Sequence, residues 1–267
     1  MAGMHLPPST TGTPSCSPRT SPSTSPSRIA GLVLAAGAGS RYGRPKALVH
    51  DAAGHSWLQH AVNVLAAAGC SPVIVVLGAR GAEAAKLIAP TLIAPIAPIA
   101  PIAPIAPTAP SAPSASVLVV QAADWADGLS ASLRAGLRVA QDLPEIAAVT
   151  IIPVDVPDVN AATVARVIGA NNTGTNTGSG TGTGSGTGSV DGMLRQARFA
   201  GRPGHPVVIG RSHWAPLLDT LAGDAGAGPY LRAHAAQAIE CGDLGTGHDV
   251  DLPEEAAGGA GGAADPV

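Results

Sequence analysis

The sequence predicts a three-layer α/β fold, with one mostly parallel β-sheet flanked by helices on both faces and forming a single domain. Three observations predict it. Short, unbroken apolar runs recur along the chain, as strands buried on both faces require. Between them lie segments with apolar residues at helical spacing, so that strand and helix alternate. Once the low-complexity stretches are set aside, about 180 of the 267 residues remain to fold, enough for one core but not for two.

The elements follow in order. Residues 1–27 are rich in Ser, Thr and Pro and read as a disordered tail, so the folded domain is expected over residues 28–255. Ile29–Leu34 is an apolar run that enters a Gly-rich turn, the pattern of a buried strand. Ser56 opens a helix with Trp57, Leu58, Ala61, Val62 and Leu65 on one face, and Gly69 closes it. Val73–Leu77 is a second buried strand and Gly81–Ile88 a short helix. Val117–Val120 is a third strand, and Leu129, Leu133, Leu137 and Ala140 mark the next helix. Ala148–Ile152 is a fourth strand, and Asn160 caps a helix carrying Val164, Val167 and Ile168. Met193–Phe199 and Val207–Ile209 read as an antiparallel pair added to the sheet, Tyr230–Ala236 as a helix, and Ala238–Cys241 as a last short strand.

Two low-complexity tracts interrupt this alternation, each between a helix and the next strand. Residues 89–116 are mostly an Ile-Ala-Pro repeat and 170–189 are Asn, Thr, Gly and Ser; residues 256–267 form a Gly/Ala tail. Both tracts read as loop inserts, which surface connections tolerate at small cost. The apolar stretch from Leu87 to Pro107 carries Pro at 90, 95, 98, 101, 104 and 107, which rules out a regular membrane-spanning helix.

Composition narrows the function classes. A net charge of −3 offers no basic field for nucleic acid. Cys16, Cys70 and Cys241 are odd in number and lack C-x-x-C spacing, so neither a disulfide framework nor a cysteine zinc site is expected. The first 27 residues lack the apolar core of a signal peptide, and a soluble cytoplasmic protein without membrane contact is expected.

The chemistry concentrates at Leu34-Ala35-Ala36-Gly37-Ala38-Gly39-Ser40-Arg41-Tyr42-Gly43-Arg44-Pro45-Lys46. Three glycines let the backbone turn tightly and present N–H groups to an anion. Arg41 and Lys46 add charge-assisted bonds to phosphate oxygens. No Lys-Ser/Thr pair follows a G-x-x-x-x-G spacing, so this is not a Walker loop. The spacing is G-x-G-x-x-x-G, and the second strand ends in Leu77-Gly78-Ala79 without an acidic residue for a ribose, which disfavours a dinucleotide fold. Asp155 follows the fourth strand, where open parallel sheets place their ligands. By residue type alone it reads equally well as a turn or capping residue before Pro157. His205, between Gly204 and Pro206, reads by itself as structural rather than functional.

The loop resembles the L-A-A-G-x-G-S-R-x-G-x-x-K signature of the MobA/MocA-like nucleotidyltransferases, the NTP transferase domain family. Five further blocks stand in the family's order: Trp125 to Leu137 (W-x-x-G-x-x-x-S-L-x-x-G-L), Asp155-Val156-Pro157, Gly204-His205-Pro206-Val207, Gly223-Asp224-Ala225-Gly226-Ala227, and Asp249-Val250-Asp251-Leu252-Pro253-Glu254. The match covers about residues 29–255 without the inserts and is nearest the molybdenum cofactor cytidylyltransferases. Tyr42 replaces the commoner Met and Leu252 replaces Thr.

The resemblance implies a Rossmann-like sheet of the nucleotide-diphospho-sugar transferase type. It implies nucleotide contacts from Ala35, Ala36, Gly37, Gly39, Ser40, Arg41, Lys46 and Ser132, with Lys46, Arg41 and Asp155 catalytic. Asp155 and Asp251 would hold Mg²⁺, with Asp249 the weaker candidate, and His205 would meet substrate. The Ala35-Ala36-Gly37 triplet resembles the cytosine-preferring type, so CTP is the favoured nucleotide. A phosphorylated acceptor such as molybdopterin, and a molybdoenzyme or its chaperone as protein partner, complete the expectation. Two other readings stay open: an NAD(P)H-dependent oxidoreductase like the nicotine blue oxidoreductases that resemble this family, and a non-catalytic nucleotide-binding module.

Overall fold

A computed structural model of the protein describes residues 28–88, 116–169 and 189–253. Apart from Ser116 and Ser189, the predicted tails and both inserts lie outside these residues, as does Glu254. The described chain forms one seven-stranded sheet: β1 (Arg28–Ala35), β2 (Val73–Leu77), β3 (Val117–Gln121), β4 (Ile146–Pro153), β5 (Leu194–Phe199), β6 (Arg202–Gly210) and β7 (Gln237–Glu240). Their order across the sheet is β3-β2-β1-β4-β6-β5-β7. β1 to β4 are mutually parallel, and β6 runs antiparallel to both its neighbours, β4 and β5. Because β7 pairs parallel to β5, β6 is the one reversed strand.

Side-chain alternation sorts the core into two layers. On one face Val33, Ala35, Val75 and Leu77 pack against Leu58, Val62 and Leu65 of α1 (Trp57–Ala67) and Val164 of α4 (Ala161–Ile168). On the other, Leu32, Leu34, Ile74 and Val76 meet Leu133 and Leu137 of α3 (Leu129–Gln141). Trp214 and Leu217 of α5 (Trp214–Thr220) and Leu231 of α6 (Gly228–Ala233) extend that second layer under β4 and β6. All five residues of β2 are buried, as the unbroken apolar run requires. Caps were legible too: Ser56 Oγ accepts from the Gln59 amide at 3.3 Å, and Asn160 Oδ1 from the Thr163 amide at 3.0 Å.

The structure departs from the sequence reading in four places. The helix expected over Gly81–Ile88 is α2 (Gly81–Ala84) followed by a tighter turn over Ala85–Leu87. β6 starts at Arg202 rather than Val207, since Gly204 and Pro206 sit in extended backbone and do not end a strand here. The helix expected from Tyr230 to Ala236 starts at Gly228, with Pro229 in its first turn, and stops before Ala235, whose φ is +49°. The α5 helix was not expected. Its Trp214 is fully buried and donates Nε1–H to the Ile209 carbonyl at 3.0 Å. Cys70 and Cys241 are buried free thiols, and burial pushes Cys70 up to about 11. Among the described residues, no helix is long and apolar enough to cross a membrane.

Candidate active site

The chain leaves β1 toward β2 and β3 on one side, while β4 lies on the other, so the carboxyl ends of β1 and β4 border a crevice. A cleft of about 460 Å³ opens there. Its walls include Ala35 to Tyr42, Lys46, Ser132 and Trp125, with Asp155, Asp224 and Asp251.

The glycine-rich loop is held in one shape. Gly39 has φ +63°, and a Cβ there would lie 1.9 Å from the Arg44 carbonyl oxygen, so no other residue fits without moving backbone. Tyr42 packs edge-on against Trp57 of α1 with ring centroids 5.7 Å apart, fastening the loop to the helix below it. Lys46 begins a tight turn, Lys46–Leu48, whose Ala47 and Leu48 are buried; the lysine stem therefore leaves a fixed base.

From that base Lys46 Nζ donates to Asp155 Oδ2 at 2.8 Å and to Asp251 Oδ1 at 2.7 Å. Arg41 Nη1 reaches Asp251 Oδ2 at 3.1 Å. The lysine side chain is only 14% exposed, against 22% for Asp155 and 47% for Asp251. Burial works to lower the Lys46 pKa, but the hydrogen bonds and charges of the two aspartates outweigh it and hold it above the ordinary lysine value. The Lys46 hydrogen bond in turn holds Asp251 below the usual carboxylate range. Residues 109 and 205 positions away in sequence thus meet on one ammonium group.

Asp249 does not share this arrangement. Desolvation by the surrounding protein, followed by the charge of Asp155, raises its pKa above the ordinary value. His205 is half-buried beside Asp155 and Asp249 and is not among the residues that line the cleft. Burial lowers its pKa, against the charges of Asp249 and Asp155, and its Nδ1 is buried without a hydrogen-bond partner.

Ser132 is buried at 5% exposure on α3 and lines the cleft. The helix start is set by Gly128, whose φ is +107° and where a Cβ would lie 2.5 Å from Asp224 Oδ1. The Ser130 amide donates to the Gly223 carbonyl at 3.0 Å, which brings Asp224 into the wall. Asp224 lay inside a quoted block but was not singled out; its place in the cleft depends on this long-range packing.

The two carboxylates are hard oxygen donors of the kind a small divalent cation takes, and the Lys46 ammonium lies between them. Among the described residues, no three His, Cys, Asp or Glu side chains are grouped to hold a metal. That donor set fits Mg²⁺, which is commonly bound by one or two carboxylates plus substrate phosphates and not by an all-protein cage.

Residues 31–238 match the model of the MobA-like NTP transferase domain. A curated relative, nicotine blue oxidoreductase of Paenarthrobacter nicotinovorans, is 29% identical over 230 residues, covering 85% of this chain and 94% of the relative. Among solved structures, the Rv0371c homologue of Mycobacterium sp. strain JC1 is 21% identical with a TM-score of 0.57, covering 86% of this chain and 93% of that one. A nucleotidyl transferase from Methanothermobacter thermautotrophicus is also 21% identical, with a TM-score of 0.54 and coverage of 85% and 94%. These structures share the fold.

Proposed function

Since the chain belongs to the MobA-like NTP transferase domain family, whose model matches residues 31–238, we propose that it transfers a nucleotidyl group, CMP from CTP, to a phosphorylated acceptor. The acceptor class is a small phosphate monoester such as molybdopterin, in the cytoplasm, with a molybdoenzyme or its chaperone as the recipient of the product. The observation that carries this reading is Lys46, held between Asp155 and Asp251 at the end of a glycine-lined cleft.

In this reading an oxygen of the acceptor phosphate attacks the α-phosphorus of the nucleotide. A new P–O bond forms, the bond from the α-phosphorus to the bridging oxygen breaks, and pyrophosphate leaves with the electron pair. The backbone of Gly37 to Ser40 cradles the triphosphate while Arg41 and Lys46 neutralise the charge that builds on the departing phosphates. Ala35, Ala36 and Ser132 face the nucleoside. Asp155 and Asp251 are the residues that would hold Mg²⁺; when bound, the ion supplies charge neutralisation at the α-phosphate. Lys46 then exchanges its carboxylate partners for phosphate oxygens, so that the two aspartates carry a cation in either state. His205, beside Asp155 and Asp249, would meet the acceptor substrate.

One observation favours a second reading. The 29% identical relative is named as an oxidoreductase, and the same glycine loop could hold the pyrophosphate of NAD(P)H. Hydride transfer has no use for two carboxylates bridged by lysine. The test is a panel of the four nucleoside triphosphates with Mg²⁺ and candidate phosphorylated acceptors, read as pyrophosphate release. Release that requires an acceptor and is fastest with CTP is expected; no release with any triphosphate, together with NAD(P)H oxidation, would overturn the proposal.

A further inference from the structure

Asp251 reaches Lys46 from a stretch with no helix or strand, residues 241–251, so something other than a backbone ladder must fix its course. Three residues on the turn after β4 do so. The Asp155 carbonyl accepts from the Val250 amide at 2.9 Å, and Asn160 Nδ2 donates to the Leu244 carbonyl at 2.8 Å. Between these, Asp158 Oδ2 accepts three hydrogen bonds: from the Thr246 amide at 2.7 Å, the Thr246 hydroxyl at 2.5 Å and the Gly247 amide at 3.0 Å. The clamped turn has no slack. Gly247 has φ +62°, and a Cβ there would lie 2.2 Å from the Phe199 ring. Bonds from amides and a hydroxyl to an ionised carboxylate are roughly twice as strong as those between neutral groups. Asp158 itself is not among the residues lining the cleft.

We propose that Asp158 is a positioning residue: by clamping Thr246 and Gly247 to the β4–α4 turn, it sets Asp251 opposite Asp155 so that both meet one cation. The same turn thus carries one carboxylate of the site and the anchor for the other, and the spacing between Asp155 and Asp251 is decided within residues 155–160. The proposal takes the role of Asp251 from the function proposed above, but the clamp itself is independent of it.

The experiment pairs hydrogen exchange with a double-mutant cycle in the full-length protein. In Asp158→Ala, amides of the 244–251 segment should exchange faster by about tenfold or more, while those of β1 and β4 are unchanged. Asp158→Ala should lower kcat/KM for CTP by about tenfold and weaken Mn²⁺ binding in the presence of CTP, yet cause no further loss in an Asp251→Asn background. Asp158→Asn keeps one acceptor oxygen and should fall between wild type and Ala; it also serves if the Ala variant fails to fold. Unchanged exchange in 244–251 overturns the clamp. Losses that multiply independently across the cycle overturn the positioning of Asp251. Were Asp251→Asn itself silent in turnover, nucleotidyl transfer would be wrong while the exchange result still decided the clamp.

Discussion

Replacing Lys46 by Ala removes an ammonium group that is 14% exposed and lies 2.8 and 2.7 Å from two carboxylates. Two effects of opposite sign follow. Toward a triphosphate the protein loses a charged hydrogen bond, worth about 1.5–3 kcal/mol, so CTP affinity should fall by roughly 10- to 150-fold. Toward a bare divalent cation the protein gains, because Asp155 and Asp251 lose the cation already seated between them. Unit charges about 4 Å apart at an effective dielectric of ~20 interact by about 4 kcal/mol, an upper bound for a site open on one side. A gain of about tenfold in Mn²⁺ affinity of the nucleotide-free variant is the conservative expectation. Arg41 cannot substitute: it is 77% exposed and, among the described residues, pairs with Asp251 and not with Asp155. Calorimetry with CTP and Mg²⁺, and electron paramagnetic resonance of free Mn²⁺ without nucleotide, measure the two effects separately. CTP affinity equal to wild type would mean that the loop holds no phosphate. Mn²⁺ affinity that falls in Lys46→Ala as it does in Asp251→Asn would refute the lysine's place as the resident counter-ion.

Gly39→Ala should lower thermal stability by an amount equivalent to about 1–3 kcal/mol and CTP affinity with it, because the new Cβ meets the Arg44 carbonyl at a positive φ; thermal denaturation and calorimetry check both, and a neutral substitution would show the loop to be pliable. Asp249 has its pKa raised in the folded protein, so the folded state binds a proton more readily than the unfolded one and stability falls as pH rises through that range. In EDTA, Asp249→Asn should therefore raise the thermal midpoint at pH 7 by a few degrees, with the advantage vanishing below the ordinary carboxylate value of 3.8; an advantage that persists in acid would point to packing instead. Asp251 has the opposite sign: its lowered pKa means that its ion pairs persist until pH drops below 3.8, so Asp251→Asn should lose stability at pH 7 and converge with wild type in acid, as followed by denaturation across pH. Deleting residues 95–113 and 173–188 together should leave the thermal midpoint and CTP affinity within error, since neither composition can bury a core; a cooperative loss of folding would contradict the reading of both tracts as inserts.

The parts of the fold written as period and punctuation were legible beforehand. Val73–Leu77 is an unbroken apolar run because both faces of β2 are covered, and Ser56 and Asn160 announce helix starts by residue type. The extended start of β6 was hidden because Gly204 and Pro206 are local turn signals that tertiary pairing with β5 overrides. The α5 helix was hidden for a different reason: with Trp214 and Leu217 its apolar anchors, seven residues give too short a period to count. In the site, Lys46, Asp155 and Asp251 were legible through their motif blocks, but their meeting on a single ammonium was not, because it joins segments 109 and 205 residues apart. Nor was Asp158, two of whose three partners are backbone amides that any sequence carries.

Metal-assisted nucleotidyl transfer is tested most directly by turnover of the Asp155→Asn, Asp251→Asn double variant, with and without EDTA, beside wild type. Asn keeps the shape of each side chain and removes the charge that would bind the cation. Pyrophosphate release from CTP should fall by orders of magnitude, with CTP binding falling much less, and EDTA should silence the wild type to the same level. Undiminished NAD(P)H oxidation by the double variant in EDTA, with no pyrophosphate released by the wild type, would contradict nucleotidyl transfer and leave the oxidoreductase reading in its place.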